Sequence, residues 1–301
     1  MIYVIDHYAL RWQDAGHRVI YHIGPENIPD ADVVIVNIDL SVVPKEYVDL
    51  INKLPVVING EILDISRRRF SQLALSRIDN YTGPVIVKTN ANYGGRPDMS
   101  SLGLRRSLLT SILGALKQLL GILLSSRFKS IIKRSRVLQM YNRKWRGKSV
   151  RRWDTIETLN PLEYPIFEDI KSVPYGVWGN DNLIVERFIG NPEGRLFYTH
   201  YCAFFGDKEI AGRLASPNPN VKFGNAVSDE ETPIPDEVRQ WRKDIKIDYG
   251  RFDYLEAEGK YFLIDVNKTE GGGTMCYQYP AEMDFLASGL EFYIGCESRD
   301  S

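Results

Sequence analysis

The sequence predicts an α+β protein with a small α/β lobe at its N-terminus, and three observations carry that expectation. Short β-branched runs alternate with helical spacing over residues 1–78, as a small parallel sheet requires. From Pro165 onward, alternating stretches lead into a hairpin, which suits an antiparallel sheet. Between them, residues 99–153 combine helical spacing with charge of one sign, the pattern of an inserted basic helical segment.

The first lobe spans residues 1–80. Met1–Ile5 is an apolar run suited to a buried strand, polar helix-like sequence continues to Ala15, and His17–Ile23 reads as a second strand. Asp32–Asn37 is β-branched and continuous, which suits a strand covered on both faces. Val43–Lys53 has helical spacing, and Leu54–Ile58 is a further buried strand closed by the turn pair Asn59-Gly60. Asp64–Ile78 is helical in pattern and holds Arg67, Arg68 and Arg69 in succession.

A second lobe is expected over 81–185. Gly83-Pro84 breaks the preceding pattern, Val85–Lys88 is a strand, and Asn90–Gly95 is a loop. In residues 107–133, Leu109, Ile112, Leu113, Leu116, Leu119, Leu120 and Leu123 recur at helical spacing, while Lys117 and Gln118 interrupt the apolar run. That is an amphipathic helix and not a membrane span. The third lobe, 186–301, includes alternating runs at Arg195–Phe205 and Lys208–Leu214. It also carries a hairpin over 250–266, turned at Ala257-Glu258-Gly259-Lys260.

Composition narrows the class. With 44% hydrophobic and 26% charged residues, the chain has the balance of an ordinary soluble globular protein. Cys202, Cys276 and Cys296 have no paired spacing, which favours a reducing, cytoplasmic setting over a disulfide framework. No basic start or small-residue cleavage site marks a signal peptide. The four histidines show no metal-ligand spacing, and neither Gly-x-Gly-x-x-Gly nor a Walker sequence occurs.

The chemistry concentrates in the hairpin. Asp253 lies on its first strand, and Asp265 and Asn267 lie on its second. Residues two apart on a strand share a face, so Asp265 and Asn267 project together and Asp253 reaches them from the paired strand. Three converging oxygen ligands suit Mg2+, with Mn2+ as a substitute. A lone Asp-x-Asn is more often the wet side of a hairpin; the Gly271-Gly272-Gly273 run that follows makes this one more specific.

Gly-Arg-Phe-Asp, a hairpin, Asp-Val-Asn and a glycine-rich turn resemble the metal-binding end of the ATP-grasp superfamily, most closely its D-alanine–D-alanine ligase or carboxylate–amine ligase branch. The resemblance implies an ATP-grasp fold with nucleotide held between two α+β lobes. It makes Asp253, Asp265 and Asn267 ligands of magnesium ions that carry ATP, although the family usually has Glu at the place of Asp265. Arg251 would contact the reacting phosphoryl group, Arg213 would face the phosphates, and the Gly272 backbone would hold a developing oxyanion. Lys88 matches the family's phosphate-contacting lysine, Arg67 or Arg68 its second basic residue, and Gly94-Gly95 its lid. Leu183–Glu193 resembles the adenine hinge: Glu186, Arg187, Phe188 and Ile189 would meet the adenine edge, and Glu193 the ribose. The same apolar residues would serve equally as plain core.

The resemblance implies an ATP- and Mg2+-dependent carboxylate–amine ligase working through an acyl phosphate. Two other readings stand beside it: an ATP-grasp kinase phosphorylating a small-molecule hydroxyl, and a nucleotide-binding module without catalysis. The 99–153 block has 14 Lys and Arg and no acid, leaving the rest of the chain at −15. It suits an anionic substrate, an anionic membrane surface at the inner face, or a solvated helical subdomain packed by its leucines. Trp145, Trp153 and Tyr141 interleave with Arg, but no nucleic-acid motif accompanies them.

Overall fold

The computed structural model describes residues 3–101, 152–190, 194–271 and 273–294. Its strands, in chain order, are β1 (Val34–Ile35), β2 (Val57–Ile58), β3 (Ala74–Leu75), β4 (Val85–Thr89), β5 (Ile166–Phe167) and β6 (Leu183–Arg187). They continue with β7 (Phe197–Phe205), β8 (Lys208–Ser216), β9 (Ser228–Glu231), β10 (Tyr249–Ala257) and β11 (Lys260–Asn267). The class is mixed helix and sheet, as the sequence predicts. The chain forms two compact units: Met1–Gln72 with Thr199–Leu214 and Ser228–Ser301, and Leu73–Tyr198 with Ala215–Val227.

In the first unit, five strands form a sheet in the order β11-β10-β7-β8-β9, with β10 antiparallel to both β7 and β11. Alternation divides its side chains between two cores. Cys202, Phe204, Phe252, Tyr254 and Leu263 pack with Val238 and Trp241 of the helix Asp236–Ile245. Ala203, Phe205 and Tyr249 pack from the other face with Tyr8 and Trp12, and with Leu286 of the helix Pro280–Ala287. Trp12 also donates its indole N–H to the Ala287 carbonyl at 2.8 Å. The hairpin turns at Glu258 and Gly259, both with positive φ (54° and 71°), the backbone that a two-residue turn matching strand twist requires.

Three expectations for the N-terminal lobe change. The apolar run at Met1–Ile5 does not form a strand; Val4 starts the helix α1 (Val4–Asp14). Val4, Ile5, Tyr8, Ala9 and Trp12 make a helical stripe buried in the core, and Asp6 accepts the Tyr3 N–H at 2.9 Å at the helix start. His17–Ile23 forms no strand; Tyr21 and Ile23 are 64% and 96% exposed. The helix expected over 64–78 is only α3 (Arg67–Phe70), because Ala74 and Leu75 leave it to pair with β6. The parallel pair does form, with Val34 opposite Val57 and Ile35 opposite Ile58, joined through the helix Lys45–Ile51.

The second unit is built on the sheet β3-β6-β4-β5, antiparallel at every junction. Val85, Val87, Leu183 and Val185 bury one face against Trp153, Phe167, Ile170, Val173 and Val177. Trp153 is therefore a core residue. Ile86 on the opposite face packs with Tyr164 and Ile166. The Gly94-Gly95 pair has a packing role of its own: both have positive φ, and a Cβ on Gly94 would stand 2.2 Å from the Leu159 carbonyl. The helix expected over 107–133, and nearly all of the basic block, lies outside the described residues.

Candidate active site

The register of β10 against β11 sets the first cluster. Asp253 lies directly opposite Asp265, and Arg251 directly opposite Asn267. Opposed residues of an antiparallel pair share a face, so the four side chains stand together on one side of the hairpin. Immediately beyond, the ladder shifts: Tyr254 pairs with Leu263, and Ile264 is the extra residue of a bulge. Gly250 has φ +147°, and a Cβ there would meet the Asn267 carbonyl at 2.1 Å. The glycine of Gly-Arg-Phe-Asp thus admits the end of β11 beside β10.

Both acids are buried and both meet a guanidinium. Arg67 Nη2 donates to Asp265 Oδ2 at 2.7 Å, and Arg251 Nε donates to Asp253 Oδ1 at 2.9 Å. Arg251 Nη1 also donates to Glu270 Oε1 at 2.6 Å. Burial pulls the Arg251 pKa down, but Asp253 and Glu270 outweigh it, and the net shift is upward. Burial pushes the Glu270 carboxyl up; Arg251 opposes that, Asp253 adds to it, and the net direction is raised. Lys268 and Thr269 are buried alongside, and Thr269 donates to Asp39 at 3.0 Å.

Of the two arginines left open by the sequence, Arg67 bonds to an acid of this cluster. It is buried, and Phe70, three residues on along the helix, packs on the core. That spacing is a signal the sequence does contain. Glu270 carries no comparable signal, since its pairing with Arg251 spans 19 residues and depends on the hairpin closing.

Arg213 is not brought to this face. Ile210 packs in the core with Phe205, and a Cβ on Gly212 would strike the Tyr201 ring, whereas Ala211 lies in the opposite core. By alternation Arg213 projects with Ala211, on the side of the helix Asp236–Ile245, where its guanidinium donates to Glu230 at 3.1 Å. On the same side His200 stacks on Tyr254 at 5.3 Å.

In the second unit, β4 and β6 carry the other cluster. Ile86 pairs with Glu186 and Lys88 with Ile184, so Lys88 and Glu186 are diagonal neighbours on one face. Their charged ends are 2.7 Å apart, with Glu186 fully buried. Arg187 ends β6, its N–H bonded to the Leu73 carbonyl; Phe188 and Ile189 follow, half-buried. Glu193 and Gly272 lie outside the described residues. Burial pushes the thiols of Cys202 and Cys276 up to about 12 and about 11, the opposite of what a reactive thiolate needs.

The hairpin's donor set fits Mg2+ in kind. Asp253, Asp265 and Asn267 offer carboxylate and amide oxygens from one face, the hard donors that this ion takes alongside phosphate and water. Among the described residues, no group of three His, Cys, Asp or Glu could hold a metal ion, so this set rests on two carboxylates and an amide.

No family model matches the sequence, and no curated protein matches it. Among solved structures, the chain is similar to a RimK-domain ATP-grasp protein from Sphaerobacter thermophilus. That match has 9% identity and a TM-score of 0.42, over 97% of this chain and 94% of the other. It is similar to the macrocyclase MdnB from Microcystis aeruginosa at 14% identity and a TM-score of 0.28, over 43% of this chain and 38% of the macrocyclase. It is similar to a D-alanine–D-alanine ligase from Bacillus anthracis at 17% identity and a TM-score of 0.29, over 44% and 49%. The chain thus spans less than half the length of the macrocyclase and of the ligase. No helix among the described residues is long and apolar enough to cross a membrane.

Proposed function

We propose that this chain is an ATP- and Mg2+-dependent ligase of the ATP-grasp kind, joining a carboxylate to an amine. The support that carries this reading is the hairpin register, which sets Asp253 opposite Asp265 and places Arg251 and Asn267 on the same face. In the proposal Asp253, Asp265 and Asn267 hold Mg2+, which when bound neutralises phosphate charge. Arg251 is the fixed cation for the transferring phosphoryl group, and the developing oxyanion is assigned to the Gly272 backbone. Lys88 contacts phosphate, Glu186 to Ile189 line the adenine edge, and Glu193 binds ribose. Arg213, held by Glu230 on the far face, is a weaker candidate for direct contact than Arg67, whose guanidinium already stands against Asp265.

The test is a screen of the full chain with ATP, Mg2+ and pooled carboxylates and amines, following ADP and inorganic phosphate together. Ligation releases both with a condensed product; a kinase releases ADP while phosphate stays on the acceptor; a binding module releases neither. Unchanged ATP turnover in Asp265→Ala and Asn267→Ala would remove the metal assignment.

A further inference from the structure

Arg251 is gripped at two points by acids from two different segments. Its Nε meets Asp253 on its own strand, 2.9 Å away, and its Nη1 meets Glu270, three residues past the end of β11, at 2.6 Å. The three side chains are largely buried, with exposures of 14%, 5% and 12%. A guanidinium is planar, so anchors at Nε and Nη1 fix both its position and the orientation of its plane. Glu270 is itself held by its backbone. Its carbonyl accepts the Val4 N–H at 2.9 Å, and the next residue, Gly271, bridges to Tyr3. The start of α1 thereby sets where the Glu270 carboxylate stands.

We propose that Glu270 is a positioning residue for the reaction, acting through Arg251. This rests on the ligase reading above, in which Arg251 meets the transferring group. Glu270 is an anchor of Arg251 that does not belong to the residues the same reading assigns to the metal. Glu270 shares the guanidinium with Asp253. The arginine is then held in one orientation while Asp253 serves as an oxygen donor. The effect belongs to the chemical step more than to nucleotide binding, because a reacting group displaced by about 1 Å costs on the order of 100-fold in rate.

The experiment compares wild type, Glu270→Gln and Glu270→Asp by steady-state ADP release with Mg2+-ATP, each paired with a thermal melt. Glu270→Gln is expected to lower kcat about 10- to 100-fold while KM for ATP stays within about threefold. Glu270→Asp keeps the charge and is expected to recover part of kcat. Unchanged kcat in Glu270→Gln overturns the proposal. So does a loss in which kcat and melting temperature fall, KM for ATP rises and Glu270→Asp is no better, which is the behaviour of a purely structural residue. If Glu270→Gln does not fold, Glu270→Asp decides alone: a kcat loss at constant KM supports the proposal, and unaltered kinetics overturn it. Wild type that turns over no ATP with the full pool refutes the ligase reading and this inference with it; wild-type turnover with an unchanged Glu270→Gln refutes the inference alone.

Discussion

Arg67 and Asp265 form a deeply buried ion pair, with side chains 4% and 5% exposed. Two charges out of water are tolerable only together, so Arg67→Ala, which takes that guanidinium away from Asp265, is expected to cost about 3–5 kcal/mol of stability. Urea unfolding checks it, and Arg67→Met combined with Asp265→Leu is expected to recover most of the loss, since an apolar pair of similar volume needs no partner. His200 supplies a pH dependence. Burial lowers its pKa below the ordinary 6.5, with Arg213 adding to that and Glu256 opposing it. The unfolded chain therefore binds the proton more readily, and the protein loses stability as pH falls below about 6.5. Melts between pH 5 and 7.5 are expected to show a flatter dependence in His200→Phe than in wild type. At this scale the sequence states which residue types matter more readily than how they pair. Asp253, Asp265 and Asn267 can be placed on one face from strand periodicity alone. Arg67, which bonds to Asp265, comes from α3, and Glu270, which bonds to Arg251, from the segment after β11; no local pattern records either pairing.

Hairpin geometry makes a sharper demand on one glycine than on another. At Gly250 the backbone has φ +147°, and an added Cβ would stand 2.1 Å from the Asn267 carbonyl. Gly259 at the turn has φ +71° with nothing within 4 Å of an added Cβ. Gly259→Ala is expected to cost about 1 kcal/mol, the price of a left-handed alanine, and to leave ATP turnover intact. Gly250→Ala must also move the end of β11, and with it Asn267, so it is expected to cost more and to abolish turnover. Urea melts and ADP release on both variants separate the two effects. The hairpin was legible because its strands alternate and its turn residues tolerate positive φ. α1 was not, because a five-residue apolar run is common to a buried strand and to the first turn of an amphipathic helix. Tyr8 and Trp12, which continue the helical stripe into the core, are what distinguish them.

Across the whole molecule, the first unit is assembled from distant parts of the chain. Trp12 bonds to Ala287, 275 residues away, and its ring lies 5.4 Å from Phe205. Trp12→Ala is expected to cost about 3–5 kcal/mol, combining a cavity with an orphaned Ala287 carbonyl. A chemical-denaturation midpoint measures it. Units that gather segments this way leave little trace in local sequence, since alternation and turn chemistry report on neighbours only. The antiparallel strand-rich region and the α+β class could be read from those local signals; the grouping of residues 1–72 with 228–301 depends on packing that only the folded chain displays.

That same grouping places a constraint on the protein while it is being made. The stripe on α1 emerges from the ribosome long before Phe205, Tyr249, Met283 and Leu286, against which it is buried. At about 5–20 residues per second, Tyr8 and Trp12 wait roughly ten seconds or longer for their partners. Their exposed aromatic surface during that interval is a natural point of engagement for a chaperone. A silent slowing of translation between the codons for Trp12 and Leu286 would lengthen the wait without altering a single residue of the finished protein.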